Sequence, residues 1–212
     1  MLDNIKNIVF DVGEVLVNFR YMEYMHEDLG FSDEVTELFA KNIILSEYWD
    51  MLDKGDITLE EARDHYMEVY PQYAEELYSF WKNLDGIVRE YDYAYELIKG
   101  LKDRGFGVYL LSNYPDQLSD MHWSKFTFMD ILDGYLISAK EHMVKPHPEF
   151  YKLLESRFGL NLEECIFVDD RPVNVEAAEA LGMKGIIFKG YKELIESFQN
   201  DVYSSRGSLR SE

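Results

Sequence analysis

Cysteine is almost missing from this sequence. Cys165 stands alone among 212 residues, so no internal disulfide can form. Its place at the start of an apolar run reads as a small buried hydrophobe. Long apolar runs are missing as well, with nothing near the roughly 18 residues that a membrane-spanning helix needs. The opening Met1-Leu2-Asp3-Asn4-Ile5-Lys6 has neither the basic region nor the apolar stretch of a signal peptide. Positive charge is scarce: 21 Lys and Arg stand against 41 Asp and Glu, for a formal net charge of −20. Such a chain is a poor ligand for nucleic acid, whose backbone is bound by clustered Lys and Arg. These absences point to a soluble, cytoplasmic protein with no membrane association. The acid excess also limits the substrate. An anionic one would be repelled by the global field and would need a metal ion, a lysine or backbone N–H groups close at hand.

What is present is ample material for a core, with 47% apolar residues, in an order without internal repeats. Ile8-Val9-Phe10 is short and β-branched or aromatic, as a buried strand should be. From about Tyr21 to Phe80 apolar residues recur three and four apart, the helical spacing. Thr58-Leu59-Glu60-Glu61 is a capping box opening a helix that should stop before Pro71. Gly55-Asp56 reads as a turn, and Ala74 to Trp81 as a further helix. We read this stretch as an all-helical module whose tyrosines pack.

From Tyr91 onward the rhythm alternates. Helices are expected over Tyr91–Arg104 (closed by Gly105), Pro148–Phe158 (stopped by Gly159), Asn174–Leu181 (closed by Gly182) and Tyr191–Gln199. A short one should open at Pro115. Strands are expected at Val108–Leu111, Tyr135–Ile137, Ile166–Val168 and Ile186–Phe188. Such alternation implies an α/β fold, a Rossmann-like, doubly wound parallel sheet with helices on both faces. The helical module is then inserted after the first strand: residues 1–17 and 86–203 form the core, 18–85 the insertion, and 204–212 a polar, disordered tail.

Four polar sites fall at or just after strand ends: Asp11, Ser112-Asn113, Lys145 and the pair Asp169-Asp170. Parallel strands bring such ends to one edge of the sheet, where ligands bind in open α/β folds. Three crowded carboxylates would repel, leaving one protonated. A divalent cation removes the conflict, and oxygen-only ligation suits Mg²⁺. Cation, lysine and hydroxyl together supply what a phosphoryl group needs in an acidic protein. One carboxylate could then attack phosphorus as a nucleophile.

On these residues the chain resembles the haloacid dehalogenase-like hydrolase superfamily, in its branch with a helical cap after the first strand. The resemblance runs from Lys6 to about Phe198. It implies Asp11 as nucleophile and metal ligand, with the Gly13 carbonyl also on the metal. It implies Ser112 and the Asn113 N–H as holders of phosphate oxygens, and Lys145 as the charge that neutralises nucleophile and transferring group. Asp170 would bind Mg²⁺ directly with Asp169 in support, and Asn174 would stand behind them. The activity implied is Mg²⁺-dependent hydrolysis of a small phosphorylated metabolite through an aspartyl-phosphate.

One position departs from the pattern. Most phosphatases of the family carry an acid/base aspartate two residues after the nucleophile, and here Gly13 stands there. The missing group is typically worth about 10²–10⁴-fold. Phe-Asp-Val-Gly-Glu-Val-Leu-Val, residues 10–17, is similar to bacterial glucose-1-phosphate phosphatases, which have glycine too. This suggests a sugar phosphate, whose better leaving group would tolerate the loss. Glu14 is adjacent, but its side chain need not face the site. The alternatives are a metal-independent 2-haloacid dehalogenase, against which Asp169-Asp170 argue, a phosphoglucomutase-like transferase, which relies on the absent aspartate, and a non-catalytic binding protein. The histidines His26, His65, His122 and His142 lack ligand spacing, and His147 reads as a neighbour of a helix start. Arg20 and Arg171 are expected in salt bridges or solvent, and Trp123 and Phe126 in packing.

Overall fold

The structure, a computed structural model, describes residues 4–199, so the expected disordered tail lies outside the described residues. The described residues form seven strands: β1 (Asn7–Phe10), β2 (Val17–Phe19), β3 (Val88–Glu90), β4 (Gly107–Ser112), β5 (Gly134–Ile137), β6 (Cys165–Asp169) and β7 (Lys184–Ile187). Five of them form one sheet in the order β5-β4-β1-β6-β7, and every pairing is parallel. β1 is central because Ile8, Val9 and Phe10 are wholly buried, as a strand covered on both faces requires. Successive side chains alternate across the sheet. Ile8, Phe10, Val108, Leu110, Ile166 and Val168 face one apolar layer. Val9, Leu111 and Phe167 face the other, against Phe150, Tyr151 and Leu154.

The chain runs outward from β1 through β4 to β5 and then crosses back to β6 and β7. The order therefore reverses at β1, which places a crevice beyond the carboxyl ends of β4, β1 and β6.

Between β2 and β3 lie the helices Tyr21–Glu23, Asp33–Phe39, Glu47–Lys54, Leu59–Val69 and Ala74–Lys82, with wider π-type turns at Tyr24–Asp28 and Ala40–Ile44. The capping box at Thr58 forms as expected: Glu61 N–H donates to Thr58 Oγ1, and Thr58 N–H to Glu61 Oε2. β2 and β3 pair antiparallel, Val17 to Glu90 and Phe19 to Val88, where the chain enters and leaves the helical segment. This pair was not foreseen, since three-residue strands leave no usable pattern. The apolar layer on the Phe10 face continues without a break into Met25, Phe39, Ile43, Trp49 and Phe80. The helices thus rest on the sheet domain through shared apolar contact.

Several ends differ from expectation. The helix placed at Tyr91 starts at Ala94, because Tyr91 N–H donates to Leu16 O and Tyr93 Oη to Val15 O. The last strand starts two residues earlier and ends one earlier, at Lys184–Ile187, where pairing with β6 sets its register. Pro115 caps the short helix Asp116–His122 from outside instead of opening it.

Candidate active site

β1 ends at Phe10, and Asp11 N–H donates to Val168 O of β6, so Asp11 leaves the sheet at its central seam. Its Oδ1 accepts from Val12 N–H at 2.7 Å and sits 2.8 Å from Lys145 Nζ. Lys145 is almost wholly buried, and its ammonium also donates to Asp169 Oδ2 at 2.7 Å. Asp169, the last residue of β6, has both oxygens engaged. Asn174 Nδ2 donates to each at 3.0 Å, and Arg171 N–H donates to Oδ1 at 2.8 Å. Asp170 completes the group: one oxygen from each of Asp11, Asp169 and Asp170 falls within 4.8 Å of the others.

The electrostatics follow from the crowding. Burial first, then the charges of Asp169 and Asp170, push the Asp11 carboxyl up to about 7, although Lys145 pulls it down. Asp170 is raised too, by burial and by Asp169. Burial would lower the Lys145 ammonium, but the charges and hydrogen bonds of Asp11 and Asp169 outweigh it and hold it above the ordinary lysine value. One cation therefore faces three carboxylates, a net deficit of positive charge in a buried site.

The residues fit a hard divalent cation. Asp170 has no side-chain partner, and the Gly13 carbonyl accepts no hydrogen bond, among the described residues. Asp11 has only one oxygen occupied. Those three groups offer free oxygens of the type that Mg²⁺ takes. Asp169 is already saturated, so its place is to hold Lys145 in position.

Ser112 closes β4, is wholly buried, and its hydroxyl has no partner among the described residues. Asn113 turns its side chain to the Lys145 backbone instead: Lys145 N–H donates to Oδ1 at 2.8 Å and Asn113 Nδ2 donates to Lys145 O at 3.1 Å. Asn113 thereby fixes the loop that carries Lys145. The predicted residues Asp11, Lys145, Asp169 and Asp170 meet in one cluster; Asn113 joins it through backbone, and Ser112 stands at the end of the adjacent strand.

A cavity of ≈ 180 Å³ adjoins this cluster, lined by Asp11, Gly13, Lys145 and Asp170. Apolar side chains share the lining: Phe19 and Trp49 from the inserted segment and its base, with Val17, Ile87, Val88 and Leu118. Two titratable side chains of the lining, Asp53 and His122, have no site role in the sequence reading. Asp53 comes from the helix Glu47–Lys54, and His122 was set aside for want of ligand spacing. His122 Nε2 bonds the Leu84 carbonyl at 3.0 Å, so it carries the proton, and Nδ1 accepts from Tyr114 Oη at 2.7 Å. Burial keeps it below the ordinary histidine value. Arg20 is tied to Asp28 at 2.6 Å and to Gly86 O at 2.9 Å, as expected of a structural cation. Trp123 and Phe126 pack in the core.

The ends of the central strands β1 and β6 deliver an aspartate and an acidic pair to one crevice, and the loop that follows β5 and its short helix brings a lysine to them. Residues 5–182 match haloacid dehalogenase-like hydrolase, and the chain belongs to that family. It is 32% identical over 193 residues to sesquiterpene phosphatase astK of Aspergillus oryzae, covering 88% of this chain and 91% of that protein. It is 29% identical over 167 residues to flavin mononucleotide hydrolase 1 of Arabidopsis thaliana, covering 72% of this chain and 61% of that protein. Among solved structures, a HAD family enzyme of Bacteroides thetaiotaomicron, a mutant in complex with magnesium and inorganic phosphate, superposes with a TM-score of 0.70. It is 25% identical, over 90% of this chain and 98% of that one. No described helix is long and apolar enough to cross a membrane.

Proposed function

We propose that this chain hydrolyses small phosphate monoesters, with Mg²⁺ bound by Asp11, Asp170 and the Gly13 carbonyl. The observation that carries it is Lys145, held between Asp11 and Asp169 beside Asp170, which has no side-chain partner among the described residues. Phosphatase relatives and the magnesium and phosphate complex of the B. thetaiotaomicron enzyme support it. A bound cation supplies positive charge to the phosphoryl oxygens and to the crowded carboxylates. Asp11 attacks phosphorus, the bond to the ester oxygen breaks with its electron pair, and an aspartyl-phosphate remains. Water then attacks that phosphorus and regenerates the Asp11 carboxylate. Lys145 stays protonated throughout and offsets charge on Asp11 and on the transferring group. Ser112, the buried hydroxyl without a partner, is the donor for a phosphoryl oxygen. Residues 18–85 act as the cap, whose contacts select the substrate.

The apolar share of the cavity lining favours an apolar or aromatic leaving group. Phe19 and Trp49 lie 5.9 Å apart, centroid to centroid, and Ile87 and Leu118 of the same lining are buried. A sugar phosphate is the second reading, on the strength of glycine at position 13. We place the enzyme in the cytoplasm, since its single cysteine is free.

Turnover of p-nitrophenyl phosphate tests the proposal, measured with Mg²⁺, with EDTA, and in Asp11→Asn. The expected result is activity with the metal only, abolished in the variant. Turnover indifferent to chelation would favour the dehalogenase chemistry, and none on any ester would favour a binding protein.

A further inference from the structure

We infer that Asp53 is the general acid and base of this active site, taking the part for which position 13 has no side chain. The inference rests on the phosphatase reading above. The nearer candidates are occupied. Glu14 holds left-handed backbone (φ 56°) and accepts from Phe19 N–H at 2.8 Å through Oε1 and from Tyr91 Oη at 3.4 Å through Oε2. His122 has both nitrogens bonded to the protein, and Asp169 is saturated. Asp53 is different. It lines the same cavity as Asp11 and Lys145 but comes from the inserted helices. Its half-buried carboxyl has no hydrogen-bond or ion-pair partner among the described residues.

Its backbone, by contrast, is fixed on the core. Ser138 Oγ donates to Asp53 O and accepts from Tyr114 N–H at 2.8 Å. Two residues on, Gly55 takes left-handed backbone (φ 75°), and a Cβ there would lie 2.4 Å from Ala139 O. Only glycine permits the helix end to approach so closely. The helix carrying Asp53 is therefore pinned to the segment after β5, and through Tyr114 to the loop after Ser112. An otherwise unemployed carboxyl is thereby held in the lining of the cavity that Asp11 and Lys145 share.

Its protonation suits the task. Burial first, then Asp50 and Asp11, push Asp53 up to about 8, against the opposing charges of Lys145 and Arg171. As Asp11 attacks and the ester P–O bond breaks, the departing oxygen keeps the electron pair and takes the Asp53 proton. The resulting carboxylate then accepts a proton from the water that attacks the aspartyl-phosphate, which restores the acid. No other reactant is needed.

The test compares an ester whose leaving group is stable as an anion, p-nitrophenyl phosphate, with an alkyl phosphate, both with Mg²⁺. Measured in a single turnover, before water attacks, Asp53→Asn should slow transfer from the alkyl phosphate by about 10²–10⁴-fold and the burst of p-nitrophenolate only a few-fold. The retained burst doubles as proof of folding, and Asp53→Ser serves as a second variant. Adding Gly13→Asp to Asp53→Asn should restore alkyl phosphate turnover, because a Cβ at position 13 meets nothing within 4 Å. Equal losses of that first step on both esters, or no loss on either, would overturn the role of Asp53. Asp11→Asn run in parallel should abolish both activities. Survival of turnover there would sink the phosphatase reading and Asp53 with it, whereas an unselective Asp53→Asn loss sinks the role of Asp53 alone.

Discussion

Replacing Lys145 by methionine keeps its length and removes its charge, and the structure sets the size of the effect. Lys145 Nζ lies 2.8 Å from Asp11 and 2.7 Å from Asp169, in a place closed to water. Removing one partner from a buried ion pair costs about 3–5 kcal/mol, since the charge left behind has no compensation. Asp169 would keep the donors of Asn174 and Arg171; Asp11 would keep one N–H, that of Val12. The loss therefore falls mainly on Asp11, which can escape it by taking a proton. Its folded pKa, already about 7 with Lys145 present, would rise further in the variant. A carboxyl raised above its unfolded value binds more protons folded than unfolded, so stability falls as pH climbs through that window. Urea unfolding in EDTA should show the variant weaker by about 3–5 kcal/mol near pH 8 and by clearly less near pH 5. Mg²⁺ should recover part of the difference by binding the folded state. A loss under about 1 kcal/mol near pH 8, or one independent of pH, would refute the buried-pair reasoning.

Other perturbations test neighbouring parts of the structure. Asn174→Ala takes two hydrogen bonds from buried Asp169 and should cost about 1–3 kcal/mol in urea unfolding, with weaker Mg²⁺ binding by calorimetry. His122→Phe should cost a similar amount by stranding Tyr114 Oη and Leu84 O. It should also flatten the pH profile: His122 is held below its ordinary value, so its contribution is present above about pH 6.5 and lost as pH falls toward the folded value. Cys165, buried with its thiol pushed up to about 11, should resist thiol reagents until the protein unfolds. Trp49→Ala should lower kcat/KM for aryl phosphates on the order of tenfold while leaving inhibition by inorganic phosphate unchanged.

The sheet was legible because a parallel strand buried on both faces must be an unbroken apolar run, and Ile8-Val9-Phe10 and Ile166-Phe167-Val168 are such runs. The acidic part of the cluster was legible for the same reason: once strands are parallel, the polar residues that end them share an edge, so Asp11 and Asp169-Asp170 were bound to meet. Lys145, eight residues past β5, reaches them through a loop that Asn113 fixes. β7 was misplaced because Lys184 and Gly185 carry no strand signal of their own. Gly185 is there because a Cβ would lie 2.3 Å from Val175 Cγ1, a packing fact that no local pattern holds. Asp53 was invisible for a deeper reason. Its importance comes from where a helix docks, set by Ser138 and Ala139 far along the chain, and its own neighbours Leu52 and Lys54 suggest only an amphipathic surface. His122 was discounted because ligand spacing was sought, while its bonds to Tyr114 and Leu84 O depend on tertiary contact. The Asn113 side chain fixes the backbone of Lys145, a tertiary role that the sequence did not show.

The most direct measurement is an acid quench of the Mg²⁺-loaded enzyme within one turnover of a radiolabelled phosphate ester, followed by peptide mapping. Label should appear on the peptide carrying Asp11, in a form that hydroxylamine removes, and should vanish in Asp11→Asn. Phosphate released with no label on the protein, or with label on a different side chain, would contradict Asp11 as the group that accepts the phosphoryl.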